Sequence, residues 1–548
     1  MQILVLMKSD FIKLYFFISM KKKTLVFIFL FWTIVNIAFS QGKQSAKILF
    51  IPLDDRPPCM KFTLKMGLIS DVELITPPRK MIGRFLDYGK SDEIVQWIDS
   101  QNIKSFDAAI ISMDMIAYGG LVASRVHETQ ISEALKRLEI VKVIRLKSPQ
   151  IKIYGSSVIM RLAPTADGKN EAYRQKLSQW AEISPDESQK LLTQKLESEI
   201  PQEALNNYKN ARERNLKVNL YAAELAKNKI FDYLILSQDD AKPKGLHIKD
   251  RQILTQYVQS NNLTEIIAIQ PGADEVSMLL LARSMADKYK YRPKIKAIFS
   301  SENMANKEMP FEDRPLRETV SFHIKAIGAM EVNDVNEADI CFFVFTSRKE
   351  EGRAKTFSDE ITAFVKKENK GVIIVDIDPI GDVQGGDIPF TEKLKEQAIF
   401  SKIYGYASWN TAGNAIGTAL PHGILYGVSK IVGKLHPQKK ITVRMSKAQT
   451  WFMLNRLFDD YSYHSIVRPM SAKIVRENKW NAYRLTDDQT KIIEAFCKKE
   501  LEPIAIKTAE GFYPKNSSKS LKFNSFSFNL PWNRTFEADI DCQINKLK

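Results

Sequence analysis

Ten short apolar runs recur between residues 47 and 409, and amphipathic helical stretches separate most of them. Runs of this length that are apolar throughout are typical of strands buried on both faces, as in parallel sheets covered by helices. The alternation of strand and helix therefore predicts an α/β protein with mostly parallel sheets and flanking helices. The ten runs are 47–53, 72–78, 107–113, 151–159, 232–237, 264–270, 294–300, 340–346, 371–377 and 403–409.

Ten strands are too many for one eight-stranded barrel, and 548 residues are too many for one ordinary core. We expect two doubly wound domains, at 41–290 and 291–435, followed by a small helical and β-containing cap at 436–548. A TIM-barrel-like N-terminal domain is the alternative. The helical stretch at about 165–228, rich in Glu, Lys and Gln, is expected to form a lid or spacer.

The first forty residues resemble a leader rather than part of a domain. From Met20 the chain reads MKKKTLVFIFLFWTIVNIAFSQGK, with three lysines, about fifteen mostly apolar residues and then small residues. This layout is typical of a secretory signal peptide, and an uncleaved membrane anchor is the alternative. We expect translation to start at Met1 or Met20, and the mature protein to begin near Gln41, to be periplasmic or secreted, and to keep no stable membrane span.

Composition narrows the functional classes. The formal charge is +16, but basic and aromatic residues do not alternate as they do along a nucleic-acid track, so no nucleic-acid partner is expected. Four scattered cysteines form no CxxC pair, and six histidines form no HExxH motif, so clustered zinc ligands are not expected. One or two disulfides remain compatible with export.

GxGxxG, P-loop and GxSxG motifs are absent. No cofactor is implied, although carboxylates could hold a divalent cation.

Polar residues follow the predicted strands at the ends where parallel α/β proteins bind ligands. Adjacent side chains on a strand point to opposite faces, so one functional carboxylate is expected from each Asp-Asp pair. Asp274 could instead cap the helix that follows it. The candidate site residues are Asp54, Asp55, Arg56, Asp114, Tyr118, Gly119, Gly120, Arg125, Arg161, Asp239, Asp240, Asp274, Glu275, Trp409, Asn410 and Asn414.

Five of these segments occur in an order that resembles a known bacterial family. PLDDRPP, YGGLVASR, LSQDDA, PGADE and SWNTAGNAIGT together resemble the family catalogued as domain of unknown function 4127. The resemblance covers nearly the whole mature chain. It implies no particular activity, but it favours treating these segments as parts of one site.

Converging carboxylates, arginines and a tryptophan in an exported protein favour a hydrolase that acts on a carbohydrate. We expect a small-molecule or glycan substrate, with Asp55 and Asp240 as the acid/base pair and Glu275 as a substitute. The remaining candidates would bind substrate. One alternative is a metal-dependent phosphate or sulfate ester hydrolase using Asp54, Asp239 and Asp274. Another is a noncatalytic periplasmic sugar-binding protein.

Overall fold

Six parallel strands form the first sheet of the protein. The computed structural model describes residues 45–517 and 519–547. The strand order is β2-β1-β3-β4-β5-β6, so the chain starts near one edge and proceeds to the other. The strands are β1 (Ala46–Ile51), β2 (Val72–Ile75), β3 (Ala108–Ser112), β4 (Lys152–Ile159), β5 (Tyr233–Gln238) and β6 (Ile267–Pro271).

A second parallel sheet follows in the order β11-β10-β9-β7-β8, and the last two strands pair as an antiparallel hairpin. The strands are β7 (Lys294–Phe299), β8 (Met330–Glu331), β9 (Ile340–Phe345), β10 (Gly371–Asp376), β11 (Gly405–Ala407), β12 (Ser520–Asn529) and β13 (Asp539–Leu547).

Helices connect the strands and cover the sheets. A π-helical segment, Leu457–Val467, joins the seventeenth and eighteenth of them. The helices are α1 (Lys61–Gly67), α2 (Ser91–Asp99), α3 (Met113–Tyr118), α4 (Leu121–Ser124), α5 (Ile131–Leu138), α6 (Ile140–Lys147), α7 (Glu171–Ile183), α8 (Lys190–Glu199), α9 (Gln202–Lys227), α10 (Leu246–Ser260), α11 (Val276–Lys288), α12 (Glu302–Ala305), α13 (Leu316–Ala326), α14 (Arg353–Lys367), α15 (Ile388–Glu396), α16 (Ala412–Leu435), α17 (Lys439–Arg456), α18 (Arg468–Glu477) and α19 (Asp487–Glu510).

The predicted fold class is confirmed, because both large sheets are parallel and flanked by helices and a small hairpin follows them. The first sheet is open, so the barrel alternative is wrong. The two sheets fall within 41–290 and 291–435 respectively, and residues from Ala46 onward cluster as one compact unit. The predicted leader, residues 1–40, lies outside the described residues.

One hydrophobic core is shared by the two large sheets. Side chains alternate across β1, so Ile48 and Phe50 face this shared core while Leu49 and Ile51 face helices on the other side. Phe342 and Val344 of β9 enter the shared core from the second sheet. Helices α11 and α16 pack against each other within it. Their packing fixes the carboxyl ends of the two sheets relative to each other.

The C-terminal hairpin packs against helices α17 and α19. Phe526 and Phe528 of β12 join a core cluster that also contains Phe343 and Phe345 of β9. The link between β12 and β13 runs from Leu530 to Ala538, and within it Trp532 adopts a positive φ of 61°. This segment returns to the carboxyl ends of the first sheet.

Two further properties concern the helices and the cysteines. Within the described part of the chain, no helix combines the length and apolar character needed to cross a bilayer. Cys59, Cys341, Cys497 and Cys542 are buried and unpaired, so none forms a disulfide.

Candidate functional site

A cavity of about 560 Å³ lies where the carboxyl ends of the two large sheets meet. Helices α7 and α18 and the segment between β12 and β13 complete its wall. A crevice at the carboxyl ends of strands is the usual ligand site of parallel α/β proteins. Half of the sequence-predicted site residues line it, namely Arg56, Arg125, Arg161, Asp239, Asp240, Asp274, Asn410 and Asn414.

Asp239 and Asp240 both line this cavity. Strand β5 ends at Gln238, so the alternation of side chains no longer applies to the pair. Arg125 donates from Nε and Nη2 to Asp239 Oδ2, at 3.1 and 2.5 Å. Arg161 Nη1 donates to Asp240 Oδ2 at 2.6 Å. Each carboxylate therefore has its own arginine.

The two neighbouring carboxyl groups have pKa values displaced in opposite directions. The Asp239 side chain is 7% exposed, and although burial opposes ionisation, Arg125 and Arg161 hold its pKa below the usual value. The Asp240 side chain is 40% exposed into the cavity. Its enclosed position and the negative charge of Asp239 raise the pKa of Asp240, despite Arg161. The site thus pairs an ionised carboxylate with a carboxyl group that holds its proton more tightly.

Arg56 forms the centre of a buried ion cluster on the next part of the wall. Its Nη2 donates to Asp54 Oδ2 at 2.7 Å and to Asp274 Oδ1 at 2.6 Å. Its Nη1 donates to Glu537 Oε1 at 3.3 Å, and its guanidinium carbon lies 4.6 Å from the centre of the Trp532 ring. The cluster fixes Arg56 and Asp274 against the cavity, whereas Asp54 lies behind them.

Asp55 does not line the cavity. It is 5% exposed and accepts a hydrogen bond from Trp532 Nε1 at 2.7 Å on Oδ1. Arg79 Nη2 donates to its other oxygen at 3.2 Å. Trp532 does line the cavity and stacks on Phe85 with ring centres 5.4 Å apart. The structure therefore makes Asp55 the support of an aromatic wall residue and does not bring it together with Asp240.

Glu275, predicted as a substitute catalytic group, also lies outside the cavity. Its side chain is fully buried, with Oε1 3.6 Å from His323 Nε2, and burial raises its pKa. Neither carboxylate oxygen has a hydrogen-bond partner among the described residues. Glu275 directly precedes the first residue of helix α11, and its side chain lies in the core against Gly417 of α16.

The segment after β3 supports the site from behind. Asp114 is 1% exposed, accepts the Val158 N–H at 3.0 Å, and has its pKa raised to about 7 by burial. Tyr118 is buried, and the guanidinium carbon of Arg214 lies 4.1 Å from the centre of the tyrosine ring. Gly119 and Gly120 form the turn between α3 and α4. These four residues position the backbone from which Arg125 extends.

Trp409 is likewise part of the core and not of the cavity. It is 4% exposed and donates from Nε1 to Thr418 Oγ1 at 2.9 Å. Asn410 and Asn414, on either side of the start of α16, do line the cavity. Asn414 is 5% exposed, and its Oδ1 lacks a hydrogen-bond partner among the described residues. That oxygen is shielded from solvent.

Several wall residues have no counterpart in the sequence prediction. Glu312 lines the cavity, accepts the Gly413 N–H at 2.8 Å, and has its pKa raised to about 8 by burial. Others come from helical or C-terminal segments, where no buried strand precedes them: Arg174, Arg468, Tyr483, Trp532, Arg534 and Phe536. The only local signal was the cluster of tryptophan, arginine and phenylalanine in PWNRTFE.

The donor set does not suit a metal ion. Among residues 45–517 and 519–547, no three His, Cys, Asp or Glu side chains converge on a metal-sized site. The carboxylates considered for a metal, Asp54, Asp239 and Asp274, each form an ion pair with a buried arginine. Arg56 binds both oxygens of Asp54 and of Asp274, and Arg125 binds one oxygen of Asp239, so most of the oxygens that a cation would need are occupied.

Comparison with known proteins places the chain in a family. No curated protein and no solved structure matches it. A family model matches residues 48–541, which include both sheets, the cavity wall and most of the C-terminal hairpin. The chain therefore belongs to the family described as Protein of unknown function (DUF4127).

Proposed function

We propose that this protein is an exported hydrolase that acts on a carbohydrate, with Asp240 as its general acid. The observation that carries the proposal is the pair of adjacent carboxyl groups whose pKa values are displaced in opposite directions within one cavity. Separation of two carboxyl groups into an acid and an ionised base is the arrangement that glycoside hydrolysis requires.

The lining of the cavity supports a sugar as the substrate. Asn410 and Asn414 line the cavity with amide groups, which can donate hydrogen bonds to sugar hydroxyls and accept them. Trp532, Tyr483 and Phe536 add aromatic faces to the same wall. A few placed polar groups among aromatic rings are typical of small-molecule sites.

In the proposed reaction Asp240 donates its proton to the glycosidic oxygen. The bond between that oxygen and the anomeric carbon breaks, and its electron pair leaves with the oxygen. Asp239, ionised beside Arg125, stabilises the positive charge on the sugar. A water oxygen forms a bond to the anomeric carbon and gives one proton to Asp239. Asp239 then releases that proton to solvent, and Asp240 takes up a proton from solvent. Asp55 and Glu275 have no step in this scheme because they lie outside the cavity.

Export is the second part of the proposal. The lysines and apolar stretch after Met20 support it, since this layout is typical of a secretory signal peptide. Secretion of a fusion of residues 1–45 to a reporter enzyme would test this part separately from catalysis.

The catalytic proposal is tested by screening the purified protein against oligosaccharides and comparing Asp240→Asn with the wild type. Because the variant cannot donate the proton, kcat/KM should fall at least about 100-fold. Asp488→Asn is the matched control, because that side chain is 91% exposed on α19, and it should retain wild-type activity.

Full activity in Asp240→Asn would overturn the assignment of the acid. Tight oligosaccharide binding without any hydrolysis by the wild type would instead indicate a sugar-binding protein.

A further inference from the structure

The cavity wall carries more positive than negative charge. Six arginines line it, namely Arg56, Arg125, Arg161, Arg174, Arg468 and Arg534. Four acidic side chains line it, namely Asp239, Asp240, Asp274 and Glu312. Burial raises the pKa of Glu312 to about 8, so near neutral pH this group adds little negative charge. Asp54 and Glu537, directly behind the wall, offset part of this excess through Arg56 and Arg534. The remaining positive charge lies inside an enclosed site, where charge is screened less than on the surface.

Four of the six arginines have a carboxylate partner, and two do not. Arg56 forms ion pairs with both Asp54 and Asp274. The other pairs are Arg125 with Asp239, Arg161 with Asp240, and Arg534 with Glu537. Among the described residues, Arg174 and Arg468 form no ion pair. Arg174 Nε and Arg468 Nη1 are buried without any hydrogen-bond partner there.

Aromatic rings hold the two unpaired guanidinium groups in place. Arg174 lies over the ring of Tyr483, 5.3 Å from its centre, and Arg468 lies over Phe536 at 4.9 Å. All four side chains line the cavity. Arg174 Nε and Arg468 Nη1 are themselves shielded from solvent, so an acceptor in the cavity would bind the other guanidinium nitrogens of these two arginines. A planar guanidinium fixed by stacking is suited to binding an oxyanion through two parallel hydrogen bonds.

From this arrangement we infer that the substrate is an acidic sugar, whose carboxylate or sulfate group binds Arg468 and Arg174. This inference rests on the proposed function, which supplies the sugar as substrate. It adds that the sugar carries a negative charge. The ion pairs elsewhere in the wall leave these two arginines as the unpaired positive groups that the described cavity offers to a ligand.

Calorimetric titration of Asp240→Asn, which should bind substrate without cleaving it, tests the inference. The probes are a uronic-acid oligosaccharide, a sulfated oligosaccharide, a neutral oligosaccharide of equal length, and inorganic sulfate. At least one acidic probe should bind about 10-fold or more tightly than the neutral one, and its affinity should fall as salt increases. The stronger of the two acidic probes identifies the anion.

Two further variants locate the anion site. Added to Asp240→Asn, Arg468→Gln or Arg174→Gln should weaken binding of the acidic probe about 10-fold and leave the neutral probe unchanged. Arg476→Gln is the matched control, because Arg476 is exposed on the same helix as Arg468, and it should bind like its parent. Unfolding curves establish that each variant is folded. If Arg468→Gln does not fold, Arg174→Gln is used to test the inference.

Three outcomes would overturn the inference: equal binding of neutral and acidic probes, equal weakening of both by Arg468→Gln, or inorganic sulfate binding as tightly as the sulfated sugar. Binding and turnover separate the two proposals. Selective binding of an acidic sugar that the wild type never cleaves supports this inference and overturns the hydrolase proposal. Efficient hydrolysis of neutral sugars alone supports the hydrolase proposal and overturns this inference.

Discussion

Asp239 and Asp240 are chemically identical neighbours, and their surroundings displace their pKa values in opposite directions. Asp239 is almost enclosed and accepts two hydrogen bonds from Arg125, while Asp240 has one bond from Arg161 and opens into the cavity. The negative charge of Asp239 is one cause of the raised pKa of Asp240. The pH dependence of activity should therefore respond to each neighbour in a defined direction.

Activity should require protonated Asp240 and so should fall as pH rises through its pKa. Arg161→Gln removes a positive charge, so it should raise the pKa of Asp240 and move the alkaline limb of kcat/KM to higher pH. Asp239→Asn removes a negative charge and should lower the pKa of Asp240, but this variant lacks the proposed base, so its pKa shift is measured by NMR titration of the labelled carboxyl carbon of Asp240. An unchanged limb in Arg161→Gln together with an unchanged pKa in Asp239→Asn would contradict the assignment of Asp240.

Asp55 and Trp532 should contribute to stability as a pair. Trp532→Phe removes the Nε1–H that donates to Asp55, while Asp55→Ala removes the acceptor. Each change should lower the free energy of unfolding by about 1–3 kcal/mol, because a buried polar partner is left unpaired. The double variant should lose at least about 0.5 kcal/mol less than the sum of the two. Urea unfolding measures this, and strict additivity would contradict the contact.

At the scale of elements, strands were easier to predict than the wall of the cavity. All ten apolar runs became strands because buried parallel strands are continuously apolar. Strand β8 was missed since it has two exposed residues, and β13 was missed because DIDCQINKL is largely polar. Trp532 meets Asp55 across 477 positions, and no local pattern reveals such a contact. For the same reason, a strand-end position alone did not separate Asp55, which supports the wall, from Asp240, which lines it.

The packing of α11 on α16 depends on a close approach at Gly417. A β-carbon at this position would lie 2.1 Å from Glu275 Cγ, and Glu275 is fully buried and cannot move aside. Gly417→Ala should lower the free energy of unfolding by about 1–3 kcal/mol through overpacking.

Gly433 on the same helix is the matched control for this prediction. A β-carbon there would meet its nearest neighbour at 3.7 Å, an ordinary contact. Gly433→Ala should raise the free energy of unfolding by up to about 1 kcal/mol, because alanine favours a helix over glycine. Chemical denaturation of both variants compares them, and equal effects at the two positions would rule out the clash.

At the scale of the whole molecule, buried carboxyl groups should set the pH of greatest stability. Burial raises the pKa of Asp114 to about 7, of Asp376 to about 6 and of Glu312 to about 8. Between about pH 4 and these values the folded protein binds more protons than the unfolded chain, so stability falls as pH rises. Asp239 and Glu537, whose pKa values are lowered, have the opposite effect and lose their contribution in acid.

Thermal unfolding should therefore give a higher Tm near pH 5.5 than at pH 8. Glu312→Gln keeps an acceptor for the Gly413 N–H but cannot ionise, so its Tm should fall less over the same interval. A wild-type Tm that rises from pH 5.5 to 8, or a Glu312→Gln variant that matches the wild type throughout, would contradict this prediction.

The cavity depends on the segment that carries Trp532, which is among the last parts of the chain to be synthesised. A ribosome releases the first sheet, with Arg56, Arg125 and Asp240, long before it releases the segment that closes the wall around them. The cavity therefore cannot be complete until the chain has been made through Trp532 and that segment has folded back onto the first sheet. On the proposal that the protein is exported, a nascent chain held unfolded would carry every residue of the first sheet and still lack a complete cavity, so the proposed activity would begin only after folding at the destination.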